Sequence, residues 1–439
     1  MKSLNWVLAV ALVAAAPSAS AQDAVPRGSE NIEVVGHLPL GKRLTVTDIE
    51  MEQDLDRPFV YVSRASLVDG GPKGVDMIDI SDPAHPKVLL RWRLEDQDLH
   101  TNRGGMDVKH FKWEGRHYIA QSFEFGQGGP DAELGAIIFD VTSLPDAEGV
   151  KEVARLRHSD APGGFHNIFI YKHSSGRALL LTTTRGGPAH VYDLGRVVSG
   201  DVENALVGTV PIPGEAGAGD RNTSYHDLYA GYHPDSGQDR FYGGGTGGYY
   251  VFNITDLENP KLLVTLMGVR GVDWGHTFTP SPDGRYAVAE VEYRYAPLRI
   301  FDLKPALDGE VTNINNPISA WTANWENLVH NHEVRWPFVF TAGYMDGFGV
   351  FSLMDPENPK TLGHYDTYTG PESHDFIPYI NGAFGVDVRN ADGLIVVSDM
   401  TTGLWTFRMD GFNGWNGADW GQPDVSSVQK WDDPPPGTN

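Results

Sequence analysis

The chain has 439 residues, of which 40% are hydrophobic, with 51 glycines, no cysteine and a formal net charge of −24 at pH 7. The absence of cysteine excludes disulfides, thiolate metal ligands and a cysteine nucleophile. The acidic balance, without clusters of lysine or arginine, argues against nucleic-acid binding, which depends on neutralising phosphates.

Residues 1–21 have the pattern of a cleavable secretory signal peptide. Lys2 supplies the positive charge, residues 6–16 are apolar, and Ala19-Ser20-Ala21 matches an A-x-A cleavage site. The apolar run is too short to span a membrane, and no second run approaches that length. We therefore expect cleavage after Ala21 and a periplasmic or secreted protein with no membrane span.

Seven copies of one short pattern follow the signal. Each is an apolar strand, a turn of the Asp-Pro or Asp-x-x-Asn-Pro type, and a second strand. The clearest copies begin at Val75 (VDMIDISDPAHPKVLLRW), Tyr249 (YYVFNITDLENPKLLVTL) and Phe348 (FGVFSLMDPENPKTLGHY), and looser ones begin at Ala136, Ala189, Leu298 and Leu404. A repeat of about 50–60 residues built from four short strands is typical of a β-propeller blade.

The repeats predict an all-β fold, a seven-bladed β-propeller over residues 22–410. The last repeat lacks a fourth strand of its own, whereas residues 33–40 (EVVGHLPL) resemble the fourth strand that begins at Lys261. We expect this N-terminal strand to complete the last blade, because closure removes exposed strand edges. Residues 411–439 are rich in Gly, Asp and Pro, which predicts a tail that runs over the surface or is disordered.

The first strands of the seven repeats align on a column of histidines. The first position of the column holds Thr47, Met106, His166, His226, His276, His332 and Val386, and the next holds Asp48, Asp107, Asn167, Asp227, Thr277, Glu333 and Asp387. First strands are innermost in a propeller, so four neighbouring repeats would place imidazoles around one mouth of the central channel. A His–Asp pair in each repeat could instead tie strands together by hydrogen bonding.

Imidazole is a ligand for Zn, Cu, Fe and Ni. The column therefore predicts a mononuclear metal site formed by His166, His226, His276 and His332. His374, on the long connection into the last repeat, is an auxiliary ligand. Copper is the first choice of cofactor, with zinc or iron next.

The repeats resemble the LVIVD repeat, whose pattern is roughly V-x-I-V-D-I-S-D-P-x-x-P. This resemblance implies a seven-bladed propeller that is commonly exported. The chain is more distantly similar to the selenium-binding protein and methanethiol oxidase group, which implies a histidine-bound copper site near the axis at His166, His226, His276 and His332. Two features of the chain depart from that group, namely the lack of cysteine and the presence of a signal peptide.

These features predict an exported propeller that acts on a small-molecule substrate, as a copper-dependent, oxidase-like enzyme. Glu290 is the candidate acid or base, and Arg185 and Arg294 are candidates for binding a substrate anion. One alternative is a non-catalytic module that binds a protein, peptide or glycan partner. A hydrolase that uses histidine with an acid and no metal is another, although no nucleophile motif supports it.

Overall fold

The computed structural model describes residues 27–67, 71–95, 103–125, 133–158, 163–213, 223–370 and 379–438. The predicted signal peptide lies outside these ranges. Among the described residues, no helix is long and apolar enough to cross a membrane.

The described chain is made almost entirely of short strands. In chain order they are β1 (Ile32–Leu38), β2 (Val46–Met51), β3 (Phe59–Ser66), β4 (Gly74–Asp79), β5 (Lys87–Arg93), β6 (Arg103–Trp113), β7 (Arg116–Phe125), β8 (Leu134–Asp140), β9 (Lys151–Arg157), β10 (Phe165–Lys172), β11 (Ala178–Thr184), β12 (Ala189–Asp193), β13 (Leu206–Val210), β14 (Tyr225–His233), β15 (Gln238–Gly245), β16 (Gly248–Asn253), β17 (Lys261–Met267), β18 (Phe278–Pro280), β19 (Tyr286–Ala289), β20 (Leu298–Asp302), β21 (Ser319–Trp321), β22 (Asn331–Arg335), β23 (Phe338–Ala342), β24 (Phe348–Ser352), β25 (Lys360–Tyr365), β26 (Ala383–Val388), β27 (Ile395–Asp399) and β28 (Gly403–Met409). Two short α-helices, α1 (Leu194–Ser199) and α2 (Lys304–Leu307), and 3₁₀ turns at Ala147–Gly149, Val202–Asn204 and Ala418–Trp420 complete the elements.

The strands form antiparallel sheets arranged as a β-propeller. Five sheets have four strands each: β10 to β13, β14 to β17, β18 to β21, β22 to β25, and β26 to β28 with β1. The other eight strands, β2 to β9, form one continuous sheet. The sequence predicted seven separate blades, whereas five stand alone here. The reason is that Ala65 and Ser66 of β3 pair with Gly104 and Arg103 of β6.

The innermost strands form a closed ring. β2 contacts β6, and contacts continue through β10, β14, β18, β22 and β26 back to β2. Apolar side chains fill the wedges between neighbouring sheets; Phe111, Ile138, Ile170 and Leu180, for example, belong to one buried cluster between two of them. The core is therefore a series of interfaces between sheets around a channel, and burial of apolar side chains in these interfaces is the main favourable contribution to folding.

Side chains in the column after the histidines tie neighbouring inner strands together. Asp107 accepts a hydrogen bond from the backbone N–H of Ile168 in the next inner strand (2.9 Å). Asp387 accepts one from the backbone N–H of Met51 (2.8 Å), across the junction between the last and first repeats. These two acids follow Met106 and Val386, so both ties are made in repeats without a histidine in the column.

The N-terminal strand lies where the sequence predicted. β1 pairs antiparallel with β28, from Ile32 opposite Met409 to Leu38 opposite Leu404. Ile32 is buried in the cluster that also contains Trp405 and Phe407. One sheet therefore contains strands from both ends of the propeller, which closes the ring.

The C-terminal segment runs across the end of the channel at which the inner strands finish. Trp415 donates from its indole Nε1 to the carbonyl of Trp336 (2.8 Å). Farther along, Lys172 at the end of β10 donates from Nζ to the carbonyls of Lys430 (2.9 Å) and Trp431 (2.8 Å). The segment covers a channel cavity of about 550 Å³, which its residues 427–433 line together with inner-strand side chains.

Removal of residues 27–40 should prevent stable closure of the ring. The edge of β28 and the rings of Trp405 and Phe407 would be exposed, and such an edge pairs with other chains. We expect the truncated protein to aggregate or to lose its cooperative unfolding transition, as measured by size-exclusion chromatography and thermal unfolding. A monomeric variant with unchanged Tm would contradict this role of β1.

His233 should make the protein less stable in acid. Its buried Nε2 lies 2.8 Å from the Tyr242 hydroxyl, and burial together with the charge of Arg240 lowers the pKa of His233 from 6.5 to about 3. The unfolded chain therefore takes up a proton below pH 6.5 that the folded chain does not, so stability falls as the pH drops. Between about pH 7.5 and about pH 4.5 this costs about 3 kcal/mol.

The substitution His233→Gln tests this contribution, because glutamine does not titrate. Urea unfolding at several pH values should show a variant whose stability falls less steeply with acid than that of the wild type. If the stability of the two proteins fell equally with decreasing pH, His233 would not be the source of the loss of stability in acid.

Candidate metal centre

Four histidines from neighbouring sheets lie next to one another at the start of the inner strands. His166 and His226 are the second residues of β10 and β14, His276 precedes β18, and His330 precedes β22. Their ring centroids are separated by 4.4 Å (His166 to His226), 4.0 Å (His226 to His276) and 5.2 Å (His276 to His330). The imidazoles therefore form an arc at the end of the channel opposite the C-terminal segment.

Irregular strand pairing sets the direction of these side chains. The register of β10 shifts between Phe165 and Ile168, around His166, and that of β14 shifts after Tyr225, around His226. A bulge inserts a residue and re-aims the side chain it carries. The shift lets a histidine and the residue after it serve different purposes.

The glycine-rich segment 243–248 allows the close approach of His276. This segment is the hairpin turn between β15 and β16, which pair up to Gly245 opposite Gly248. A Cβ atom on Gly244 would lie 1.8 Å from the carbonyl oxygen of His276. Only glycine fits at this position, so the glycines serve the packing of the site and not a phosphate.

Three of the four imidazoles are fixed through Nδ1. Nδ1 of His166 lies 2.6 Å from a carboxylate oxygen of Glu124, and Nδ1 of His276 lies 2.6 Å from one of Glu290. Nδ1 of His330 lies 2.6 Å from the carbonyl oxygen of Phe384. The ionised carboxylate of Glu124 and the carbonyl of Phe384 can only accept, so Nδ1 of His166 and of His330 carries the proton and Nε2 is the nitrogen left for another partner.

Two ring nitrogens in the arc are buried and have no hydrogen-bond partner in the described chain. They are Nε2 of His276 and Nδ1 of His226. Buried polar atoms are nearly always satisfied in native proteins, and an unsatisfied one can indicate an ion or water. The two atoms belong to the adjacent imidazoles of His226 and His276, which lie at the centre of the arc.

Glu292 joins these two histidines. One ligand atom each from His226, His276 and Glu292 can be chosen so that all lie within 4.8 Å of one another. Oε2 of Glu292 is 3.8 Å from Nε2 of His276, and its Oε1 accepts a hydrogen bond from the Tyr344 hydroxyl (2.6 Å). The donor set is therefore two imidazoles and one carboxylate, with His166 and His330 on either side.

Charge is unevenly distributed over the arc. Burial alone would lower the pKa of His276, but the charge and hydrogen bond of Glu290, together with Glu292, raise it to about 9. Burial and the neighbouring charges of His276 and His166 hold the pKa of His226 well below its ordinary value. A neutral imidazole, His226, therefore lies beside a positively charged one, His276, whose Nε2 becomes a ligand only when it gives up its proton.

The carboxylates differ in the same way. Burial would raise the pKa of Glu124, but His166, Arg103 and Arg185 hold it below its usual range. Burial raises the pKa of Glu290 to about 7, against the opposing effect of His276. Glu124 is thus a fixed negative charge, whereas Glu290 and His276 share a hydrogen-bonded proton.

The predicted ligands are placed unequally. The structure brings His166, His226 and His276 together. His330 occupies the position beside His276. His332, two residues later, is buried and lines the channel cavity. Both ring nitrogens of His332 lack a hydrogen-bond partner in the described chain. His374 lies outside the described residues.

The predicted catalytic residues have other partners. Glu290 is buried and fixes Nδ1 of His276. Arg185 is paired with Glu124 at 2.8 Å, with its side chain 45% exposed. Arg294 donates from Nε to the carbonyl of Glu326 (2.7 Å) and stacks over the ring of Tyr379. Glu290 therefore contacts a histidine of the arc directly, and Arg185 contacts the carboxylate of Glu124, which in turn contacts His166.

Sequence reasoning missed three members of the site, namely Glu124, Glu292 and His330. Glu292 follows Glu290 by two residues, a spacing that places both on one side of an extended segment. His330 and His332 have the same spacing, so the alignment could not choose between them.

No protein-family model matches the chain, and no curated protein is significantly similar to it. The resemblances to the LVIVD repeat and to the selenium-binding group therefore stay predictions.

Replacing the buried carboxylate of Glu124 should be costly. Glu124→Gln would leave Arg103 and Arg185 without their counter-charge, and breaking a buried ion pair costs about 3–5 kcal/mol. Because Arg185 is partly exposed, solvent reduces this, and we expect a loss of about 3 kcal/mol in urea unfolding. The control is Glu152→Gln, which breaks a surface pair with Arg155 and should cost less than about 1 kcal/mol. Equal losses in the two variants would contradict a special role for Glu124.

Proposed function

We propose that the protein is an exported, oxidase-like propeller enzyme that binds one metal ion at the histidine arc and acts on a small molecule. The observation that supports this most strongly is that His226, His276 and Glu292 can each place one ligand atom within 4.8 Å of the others. Nδ1 of His226 and Nε2 of His276 have no hydrogen-bond partner in the described chain, and Glu290 orients His276 from its other nitrogen as carboxylates do for ligating histidines. Export rests on the signal-like residues 1–21.

We also propose that the propeller has seven blades. The eight-stranded sheet consists of two successive four-stranded units, β2 to β5 and β6 to β9, joined by only two residue pairs. Counted as two blades, these give seven inner strands, which agrees with the closed order of contacts from β2 to β26.

Glu292 changes the preferred metal. The sequence favoured copper on the basis of imidazoles alone, with zinc or iron next. Two histidines and one carboxylate with open positions form the ligand set of non-haem iron(II) oxygenases. We therefore propose iron(II) as the metal of the arc, held by His226, His276 and Glu292. A metal bound there would supply a redox-active, Lewis-acidic centre.

The protein's own groups would hold this centre in place. Glu290 and Glu124 orient the rings of His276 and His166, and Tyr344 orients Glu292 through its hydroxyl. The half-exposed guanidinium of Arg185 offers donors to a substrate anion while its charge remains balanced by Glu124. These contacts keep the ligands in position without reorganisation when a substrate arrives.

The alternative is a non-catalytic binding module. Its support is an exposed pair of aromatic side chains, Tyr295 (50% exposed) and Trp325 (55% exposed), with ring centroids 6.3 Å apart. Flat exposed rings of this kind suit stacking against a glycan or a protein partner. In this alternative the arc would serve the structure only.

Elemental analysis tests the proposal. The untagged protein, isolated from the periplasm, should contain about one iron per chain. The variant His226→Ala/His276→Ala should lose that iron while its circular dichroism spectrum stays that of the wild type. The control His85→Ala changes a histidine whose side chain is 78% exposed and should retain the iron.

Two results would contradict the proposal. One is wild-type protein without metal even after anaerobic reconstitution with iron(II). The other is a folded double variant that keeps the full iron content. In either case the binding module becomes the better description.

A further inference from the structure

A second group of ligating side chains lies at the other end of the inner strands. Glu52 directly follows β2, His110 is near the end of β6, and His117 is the second residue of β7. His110 is four residues beyond the start of the histidine column in its own repeat, or about 13 Å along a strand. These residues are therefore separate from the arc.

The three ligand atoms form a nearly equilateral triangle. Nε2 of His110 is 3.2 Å from Nδ1 of His117. Oε2 of Glu52 is 3.4 Å from each of these nitrogens. In a tetrahedral zinc site, metal–ligand bonds of about 2.0–2.1 Å imply ligand–ligand separations of about 3.3–3.4 Å. The triangle therefore matches one face of a zinc tetrahedron without rearrangement.

Neighbouring groups fix this triangle. Glu52 is fully buried; its Oε1 accepts from the Tyr61 hydroxyl (2.5 Å) and both of its oxygens accept from Arg57. The rings of His110 and His117 are stacked at 5.4 Å with an interplanar angle of 21°. The ligand atoms are thus held in place by a hydrogen-bonded carboxylate and by ring packing.

The two histidines of the triangle lie at the channel cavity. His110 and His117 both line the cavity of about 550 Å³, which has room for a water molecule as a fourth ligand. Three protein ligands with one open position are the arrangement of catalytic zinc sites, and two histidines with a glutamate are one of the known sets.

We propose that Glu52, His110 and His117 bind a zinc ion, with the fourth position open to the cavity. The ion would join the first two repeats, because β2 carries Glu52 and β6 and β7 carry the histidines. The site differs from the arc in its ligand spacing, since its three atoms lie 3.2–3.4 Å apart. Arg57 pairs with Glu52 and balances its charge.

The test uses zinc alone and a protein that lacks the arc site. Apo-protein carrying His226→Ala/His276→Ala is titrated with Zn²⁺ by calorimetry, and we expect one equivalent to bind. Adding His110→Ala/His117→Ala should weaken that binding at least 100-fold, whereas adding the exposed His85→Ala should leave it unchanged. Absence of zinc binding to the arc-deficient protein, or equal affinity with and without the second pair, would overturn the proposal.

A second measurement does not depend on variants that must fold. Crystals of the wild-type protein soaked in Zn²⁺ should give anomalous difference density at the zinc edge about 2 Å from all three ligand atoms. Density elsewhere only, or none, would overturn the site. Elemental analysis measures iron in the arc, whereas calorimetry and anomalous density measure zinc in this triangle. Failure of one proposal is therefore distinguishable from failure of the other.

Discussion

Closure of the inner ring by hydrogen bonds that backbone amides donate to acidic side chains is the constraint on which the rest of the structure depends. Asp107 and Asp387 each bind the amide of a neighbouring inner strand. Burial raises the pKa of both, and that of Asp387 reaches about 7. Asp107 and Asp387 follow Met106 and Val386, and after His166 the same position holds Asn167, which donates to the carbonyl of His226 (3.2 Å). This position therefore serves contact with the neighbouring inner strand, whereas His166 contacts Glu124.

Much of the fold could be predicted because strand spacing repeats. The turn signals located the strands, and the similarity of residues 33–40 to a fourth strand located β1 beside β28. The merging of the first two repeats could not be predicted, since it depends on two residue pairs formed only when loops meet in space. The scattered tryptophans after Asp410 gave no pattern, although Trp415 anchors the segment to Trp336.

The candidate site was only partly predictable for a related reason. His166, His226 and His276 were aligned correctly because each lies at or just before the start of an inner strand. His332 was chosen over His330 although β22 pairs with β23 without the register shift that β10 and β14 have beside their histidines, so the equivalent position comes earlier in this repeat. The supporting carboxylates, such as Glu124, come from a different repeat than the histidine that they orient. No spacing in a single sequence records such a pairing.

The C-terminal segment makes the two ends of the channel unequal. It crosses from Trp336, near the last sheets, to Lys172 at the end of β10, on the opposite side of the ring. Within the described residues, the cavity of about 550 Å³ is bounded at this end by residues 427–433, a single stretch of chain. That stretch is held by contacts with different sheets, so cutting it would open the cavity at the end where the inner strands finish.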